Sequence, residues 1–347
     1  MKITVILCTY NRSQSLARTL ESLAASTFLD AVEWEVLVVD NNSNDQTRDV
    51  VEDFCRRYPG RFRYFFEPRQ GKSYALNAGV REARGDVLAF TDDDVTFEPT
   101  WLENLAVPFG TGEWAGVGGR TLLAQAFSPP RWLVPSDSLG VLAAFFDLGT
   151  EPCELRQPPF GANMAFRREM FNKYGLFRTE LGPRPGSQIR NEDTEFGRRL
   201  MAAGERLRYE PSAVVYHPLP QERVNKKYLL AWWFDYGRAT VHEWRRGPDV
   251  WGIPRHYLSI LNMTGICLPQ WIFRWMRSLN PRQRFQYKCW AWVMAGQIVE
   301  TYRLARDAKR QKFDPAQGAK VGFNAPTLDP QRLAQFQRRH KSRNDDR

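Results

Sequence analysis

The feature that most constrains this chain is a regular alternation over its first hundred residues. Short apolar runs alternate with segments whose apolar residues recur every three or four positions. Apolar runs bounded by polar turns read as buried strands, and three-to-four spacing reads as one face of a helix. Strand, helix and strand in succession form βαβ units, which predict an α/β fold with a mostly parallel sheet and helices on both faces. Residues 3–8 read as the first strand. Ser13 caps a helix to residue 25, with Leu16, Leu20 and Leu23 on its inner face. The second strand, 35–39, ends at Asp40, and Asp45 caps a helix carrying Val50, Val51 and Phe54. A third strand over 61–66, a helix over 73–83 and a fourth strand over 87–91 follow. That fourth strand runs into Asp92, Asp93 and Asp94, and Pro99 suits the first turn of a helix to residue 106.

Further on, glycine and proline obscure the pattern between residues 112 and 161. A strand over 115–123 and a mobile stretch over 128–138 are expected there. Helices over 167–174 and 192–203, and a strand or strand pair over 209–216 interrupted at Pro211, complete the front of the molecule. Beyond His217 the pattern is helical and aromatic, over 226–246, 257–279 and 285–312. The last 35 residues are polar and aperiodic and read as a loose tail.

Charge divides the chain at the same place. Residues 1–222 hold 25 Lys and Arg against 30 Asp and Glu, a net of -5, whereas residues 223–347 hold 24 against 9, a net of +15. Eight of the 12 tryptophans lie between Trp232 and Trp292. The expected organisation is therefore a domain over 1–222, with halves 1–110 and 111–222, then a helical, basic, Trp-rich region over 223–312 and a polar tail over 313–347. An apolar fraction of 43% and a charged fraction of 25% exclude a disordered chain and a polytopic membrane protein. Residues 257–273 come nearest to a membrane span, but Asn262, Thr264, Pro269 and Gln270 would lack partners in hydrocarbon. The apolar part of the opening MKITVILCTYNR is too short for a secretion signal. Five scattered cysteines without a C-x-x-C pair indicate neither a disulfide framework nor a zinc ribbon, and favour a reducing cytoplasm.

In open parallel sheets, ligands bind beyond the carboxyl ends of the strands. Three polar clusters fall there: TYNR at 9–12, DNNSND at 40–45 and TDDD at 91–94. Folding gathers them at one rim. The first turn lacks G-x-G-x-x-G, which argues against a nicotinamide dinucleotide site. Three consecutive carboxylates raise one another's pKa unless something positive offsets them. A hard divalent cation would accept two oxygens and keep open positions for substrate phosphate. A hydrated acidic turn before a helix is the other reading, and spacing alone does not choose between them.

TYNR, VVDNNSND, GKSYALNAG at 71–79, FTDDD, GANMAFRREMF at 161–171 and NEDTEFGRRL at 191–200, in this order, resemble the family 2 nucleotide-sugar glycosyltransferases. The likeness covers about residues 1–222. It implies a GT-A type fold, in which a nucleotide-binding sheet joins an acceptor-binding half. It places Thr9, Asn11, Arg12, Asp40, Asn42, Lys72, Asp92, Asp93 and Asn163 at the nucleotide sugar, Asp40 on the base and Asn163 in the GAN turn by the sugar. Asp92 and Asp94 become the D-x-D pair on a Mg²⁺ or Mn²⁺, with His217 completing the metal shell. Asp193, in the Glu192-Asp193 pair, becomes the general base for an inverting attack by an acceptor hydroxyl. The residue types alone also allow humbler roles: helix capping for Thr9, Asn11 and the Asn191–Asp193 cluster, a solvated amine for Lys72, an ordinary turn at 161–163, and a structural histidine at 217.

No Q-x-x-R-W motif is present, so transfer of a single sugar is favoured over polymer extrusion. The implied donor is a UDP- or GDP-sugar and the acceptor a carbohydrate or a lipid-linked one, as in glycolipid or polysaccharide assembly. A rival is a haloacid-dehalogenase-like phosphatase with Asp92 of Asp92-x-Asp94-x-Thr96 as nucleophile, although that motif should end the first strand and here ends the fourth. A catalytically silent sugar-binding protein is the third reading.

In the basic back, Leu229, Trp232, Trp233, Tyr236 and Trp244 stand beside Lys226, Lys227, Arg245 and Arg246. Trp271, Phe273, Trp275, Trp290 and Trp292 interleave with Arg274, Arg277, Arg282, Arg284 and Lys288. Such a pattern suits peripheral docking on an anionic membrane, at the inner face of the cell membrane. It equally suits aromatics packed on the first domain with their charges facing water. No recognised module accompanies the charge, so a nucleic-acid partner is not expected.

Overall fold

A computed structural model describes residues 1–26, 33–243 and 255–312. Its centre is one nine-stranded sheet, with helices packed against both faces. Strand β1 (Lys2–Thr9), α1 (Ser13–Ala24), β2 (Glu33–Asp40), α2 (Thr47–Arg57), β3 (Phe62–Phe66), α3 (Lys72–Glu82) and β4 (Val87–Thr91) follow the expected alternation to within a few residues. Strand β1 pairs in parallel with β2 and β4, and β2 in parallel with β3, giving the order β3-β2-β1-β4. Nearly every residue of β1, β2 and β4 is buried, as a sheet covered on both faces requires.

Beyond β4 the sheet changes character. Strand β5 (Thr96–Phe97), α4 (Trp101–Ala106), β6 (Gly116–Leu123), α5 (Pro135–Ala143), β7 (Cys153–Glu154), β8 (Asn163–Arg167), α6 (Arg168–Tyr174), α7 (Glu192–Ala202) and β9 (Leu207–His217) follow. Strand β8 runs antiparallel between β4 and β6, β6 pairs in parallel with β9, and β5 and β7 join β9 antiparallel. Strands β6 and β9 therefore run in the same direction as β1–β4, and β5, β7 and β8 run against them. Strand β8 has no counterpart in the sequence reading, because five residues with no polar alternation, NMAFR, merge into the helical signal that follows. Pro211 marks a register shift rather than a break: Gly119 pairs with Glu210 but Arg120 with Val214. A proline cannot donate to the ladder, and a bulge accommodates it.

Three local expectations need correction. Ser13 is the first residue of α1 rather than its cap, and its backbone N–H donates to the Asp45 carboxylate at 2.9 Å. The other Asp45 oxygen accepts from the Thr47 backbone N–H and hydroxyl, so one side chain holds the starts of α1 and α2 together. Burial works against the charge, yet these hydrogen bonds lower the Asp45 pKa to about 2. Pro99 lies just ahead of α4 instead of in its first turn. The 128–138 stretch buries Leu133 completely and leads into α5.

The basic region is helical, as expected: α8 (Lys226–Glu243), α9 (Arg255–Asn262), a π-helical turn (Met263–Cys267), α10 (Leu268–Arg277) and α11 (Pro281–Lys312). Trp244, Arg245, Arg246 and the polar tail lie outside the described residues. Helix α8 packs on the first domain through Ala239 against Leu181 and Ile189. Together with α11 it also encloses Leu133, Leu142 and Leu219. Trp233 and Trp290 are half-buried and pack with Met263 and Val293 in the helical layer, so these two expected membrane-facing aromatics are engaged within the protein. Among the described residues no helix is long and apolar enough to cross a membrane.

Helices α8 and α11 cross closely because each has glycine where the other's backbone passes. A Cβ on Gly237 would land on the Val293 carbonyl oxygen, and one on Gly296 on the Phe234 carbonyl oxygen. Overpacking typically costs about 1–3 kcal/mol. Gly296→Ala is expected to lower the thermal midpoint, followed by circular dichroism, while the same substitution at Gly110, with open space around it, leaves it unchanged.

Candidate active site

Sheet order alone brings the chemistry together. The strand order reverses between β1 and β4, leaving a crevice where ligands of α/β sheets bind. Thr9 ends β1, Asp40 ends β2 beside it, and Asp92–Asp94 follow β4. Because β8 is antiparallel to β4, its start lies at the same rim: Asn163 pairs with Thr91, whose hydroxyl donates to the Ala162 carbonyl. The β5–β9 register, Thr96 with Tyr216, brings the end of β9 and His217 to Asp94. Helix α7 starts at Glu192 and presents Asp193 to Gly161.

The three aspartates point in different directions. Asp93 is buried, accepting from the Thr9 hydroxyl at 2.7 Å and from Arg12 at 2.9 Å. Burial, with Asp94 and Asp92 adding to it against the pull of Arg12, raises the Asp93 pKa to about 6. Arg12 also donates to Asp94 Oδ2 at 2.9 Å and is thereby held firmly protonated, chiefly by Asp93. Asp92 Oδ1 accepts from Lys72 Nζ at 2.9 Å. The same ammonium stands 3.6 Å from Glu192 Oε1. Burial opposes charge on Lys72, but Asp92, Glu192 and Asp193 together keep it protonated. Asp92 is lowered: Lys72 and His217 outweigh the burial that works against its charge. Glu192, buried beside Asp193, is raised despite Lys72.

Asp92, Asp94 and His217 offer one ligand atom each within 4.8 Å of one another. His217 Nδ1 lies 2.7 Å from the Pro218 carbonyl, which only accepts, so a proton belongs on Nδ1 and Nε2 faces outward. Asp94 Oδ1 faces that nitrogen at 3.5 Å and is buried without a hydrogen-bond partner. Asp92, Asp94 and His217 are thus a set of side chains that could together hold a divalent cation.

Asp193 is held at both oxygens. Oδ2 accepts from the Gly161 backbone N–H at 2.6 Å and Oδ1 from the Thr194 backbone N–H at 2.6 Å. A side chain at position 161 would meet Oδ2, since a Cβ there would stand 2.8 Å from it.

Other expected site residues take part in the hydrogen bonding of the rim itself. Asp40 is buried, accepting from the Ser43 backbone N–H and from the Tyr64 hydroxyl at 2.8 Å. Asn11 and Asn42 take left-handed backbone conformations on the exposed rim, and the Asn11 side-chain oxygen accepts from the Asn44 backbone N–H. Asn163 departs from the expectation that it faces the donor sugar. It is 1% exposed and fully engaged, accepting from Trp101 Nε1 and donating to the carbonyls of Arg120 and Ala213. Asn41, which sequence reasoning passed over, is buried and ties β2 to the next loop through the Gly71 N–H and the Glu67 and Arg69 carbonyls. Its place within DNNSND was the available signal.

A mixed α/β fold with an acidic rim at the ends of β1, β2 and β4 is what the comparisons have to match. Comparison with known proteins places it more closely. The family model for glycosyl transferase family 2 matches residues 4–175. The chain is 31% identical over 233 residues to the succinoglycan biosynthesis protein ExoM of Rhizobium meliloti, covering 67% of this chain and 70% of that protein. It is 29% identical over 254 residues to the glucosyl-dolichyl phosphate glucuronosyltransferase of Haloferax volcanii, covering 70% and 77%. A mannosyltransferase of Pyrobaculum calidifontis, solved with GDP-Man and Mn2+, superposes with a TM-score of 0.52 at 17% identity, over 90% of this chain and 81% of that one. The chain belongs to glycosyl transferase family 2, a family that uses nucleotide-sugar donors. Membership retires both the phosphatase and the silent-binder readings.

The Asn163 assignment is testable. Asn163→Ala leaves the Trp101 N–H and two carbonyls unpaired, and each buried group left unsatisfied costs about 1–3 kcal/mol. The expected outcome is a lower thermal midpoint with unchanged nucleotide affinity by isothermal titration. Loss of affinity with an unchanged midpoint would return Asn163 to the donor pocket.

Proposed function

We propose that this protein is an inverting, metal-dependent transferase that moves a single sugar from a UDP- or GDP-sugar to a hydroxyl acceptor, in glycolipid or polysaccharide assembly. The observation that carries this reading is the meeting of Asp92, Asp94 and His217 with an unpartnered Asp94 oxygen, next to an Asp193 held by the Gly161 N–H. Asp92, Asp94 and His217 would hold a Mg²⁺ or Mn²⁺. When bound, such an ion neutralises charge on the departing nucleoside diphosphate.

The protein's own groups divide the remaining work. Arg12, fixed between Asp93 and Asp94, and Lys72, fixed between Asp92 and Glu192, set the orientation of the acidic cluster and face the nucleotide side of the crevice with positive charge. Thr9 and Asp40 close the floor at the ends of β1 and β2. Asp193 is the general base: it takes the acceptor hydroxyl proton as that oxygen attacks the anomeric carbon from the face opposite the leaving diphosphate. Inversion follows from a single displacement. Two backbone N–H donors fix the carboxylate and still leave it sites to accept a proton, because a carboxylate offers about four lone-pair sites. Glu192, the other acid of the pair, buttresses Lys72 from inside the wall and leaves the proton transfer to Asp193. That a relative acts in succinoglycan biosynthesis and another on a glucosyl-dolichyl phosphate supports a carbohydrate or lipid-linked acceptor.

Removing a positioned base typically costs ~10²–10⁴-fold in rate. Asp193→Asn is expected to lower turnover by that amount in single-turnover transfer from labelled donor, with donor affinity retained. Gly161→Ala, which displaces the same carboxylate, should lower turnover in the same direction while leaving donor affinity alone. Full turnover in Asp193→Asn would mean that another group is the base.

A further inference from the structure

We propose that α9, the π-helical turn and α10 form a monotopic docking face that binds anionic phospholipid bilayers, and that the face is a row of aliphatic and aromatic side chains distinct from Trp233 and Trp290. Leu261, Ile266, Phe273, Met276 and Leu279 are 65%, 65%, 54%, 63% and 97% exposed, in a chain whose large apolar side chains are otherwise mostly inside. Ile266, Pro269, Phe273 and Met276 are three, four and three residues apart, so they share one stripe of the helix. The opposite stripe is already occupied: Cys267, Leu268 and Trp271 pack against Val293 and Met294 of α11. Packing to α11 therefore fixes which face looks outward, and solvent is a poor partner for what it presents.

Charge identifies the occupant. No Asp or Glu occurs between Val250 and Val299, while Arg274, Arg277, Arg282, Arg284 and Lys288 lie in that interval. Arg277 stacks on Phe273 at 5.3 Å, so its charged end borders the apolar stripe, and Arg274, itself exposed, lies 5.1 Å from Trp271 on the side toward α11. Lys288 lies 5.0 Å from the ring centre of Trp275. An apolar stripe rimmed by cations and free of acids matches a negatively charged lipid interface, where stems and rings sit at the headgroup level. A second copy of the chain on the same face would set these cations against one another across a two-fold axis. The inference is independent of the transfer chemistry, since none of these residues belongs to the active site.

The test uses the full chain and vesicles of phosphatidylglycerol and phosphatidylcholine, with flotation at low salt. Wild type is expected to float with vesicles that contain phosphatidylglycerol, to release progressively as salt rises, and to remain behind with pure phosphatidylcholine. Phe273→Glu with Met276→Glu is expected to lose at least tenfold in partitioning, with its circular dichroism and thermal midpoint retained. Those side chains are exposed, so the variant keeps its core; Leu279→Glu, at a position 97% exposed beyond the helix, gives a second reading without any packing change. Absence of wild-type flotation, or unchanged flotation of both variants, would overturn the proposal. So would a dimer in sedimentation that these substitutions dissociate while vesicles bind neither form.

Discussion

Three consecutive carboxylates at the end of a buried strand repel one another, and the structure around them is arranged to hold that repulsion. Asp93 is turned inward onto Thr9 and Arg12, Asp92 is met by Lys72, and Asp94 shares Arg12 while its other oxygen faces His217. Each compensating group comes from a different strand or helix: β1 and its following turn, the start of α3, and the end of β9. Cations supplied from the protein leave one buried oxygen, Asp94 Oδ1, without a hydrogen-bond partner, and the proposed divalent cation would meet it there. The cluster therefore depends on the fold at every side, and the fold's sheet order exists in a form that brings these four segments to one rim.

The change from parallel to antiparallel pairing after β4 is what brings a further segment to the acidic rim. A fifth parallel strand next to β4 would start at the opposite edge of the sheet. Strand β8, running the other way, starts beside the end of β4 and carries Gly161 and Ala162 to the acidic cluster. Gly161 then meets Asp193 from α7, and the absence of a side chain permits the 2.6 Å contact. The start of β8 and the start of α7 are thus joined through a backbone N–H, with Lys72 and Glu192 as a second link between α3 and α7.

Much of this was legible in the sequence, for a physical reason. Strands buried on both faces are continuous apolar runs, and the polar residues that end them are conspicuous, so β1, β2, β4 and the clusters at Thr9, Asp40 and Asp92–Asp94 stood out. The grouping of Asp92, Asp94 and His217, by contrast, needed the family resemblance, because 123 residues separate Asp94 from His217 and spacing carries no information over that range. Strand β8 escaped detection because a short central strand and the helix after it share the same apolar residues. Asn163 looked like part of a sugar-facing turn, but an amide with three polar groups converging on it from Trp101, Arg120 and Ala213 is recognisable only once β6, β8 and β9 are side by side. In the basic region composition identified Trp and Arg, yet which faces are covered is set by the close crossing of α8 and α11 at Gly237 and Gly296.

The account stands or falls on whether the acidic rim binds a divalent cation together with a nucleoside diphosphate. Electron paramagnetic resonance of Mn²⁺ titrated into the protein, with and without UDP or GDP, reads this directly. The account predicts a protein-bound Mn²⁺ whose affinity rises with one nucleoside diphosphate and collapses in both Asp94→Asn and His217→Ala, each still folded by circular dichroism. Bound Mn²⁺ that is indifferent to both substitutions, or no bound Mn²⁺ with either nucleotide, would contradict it.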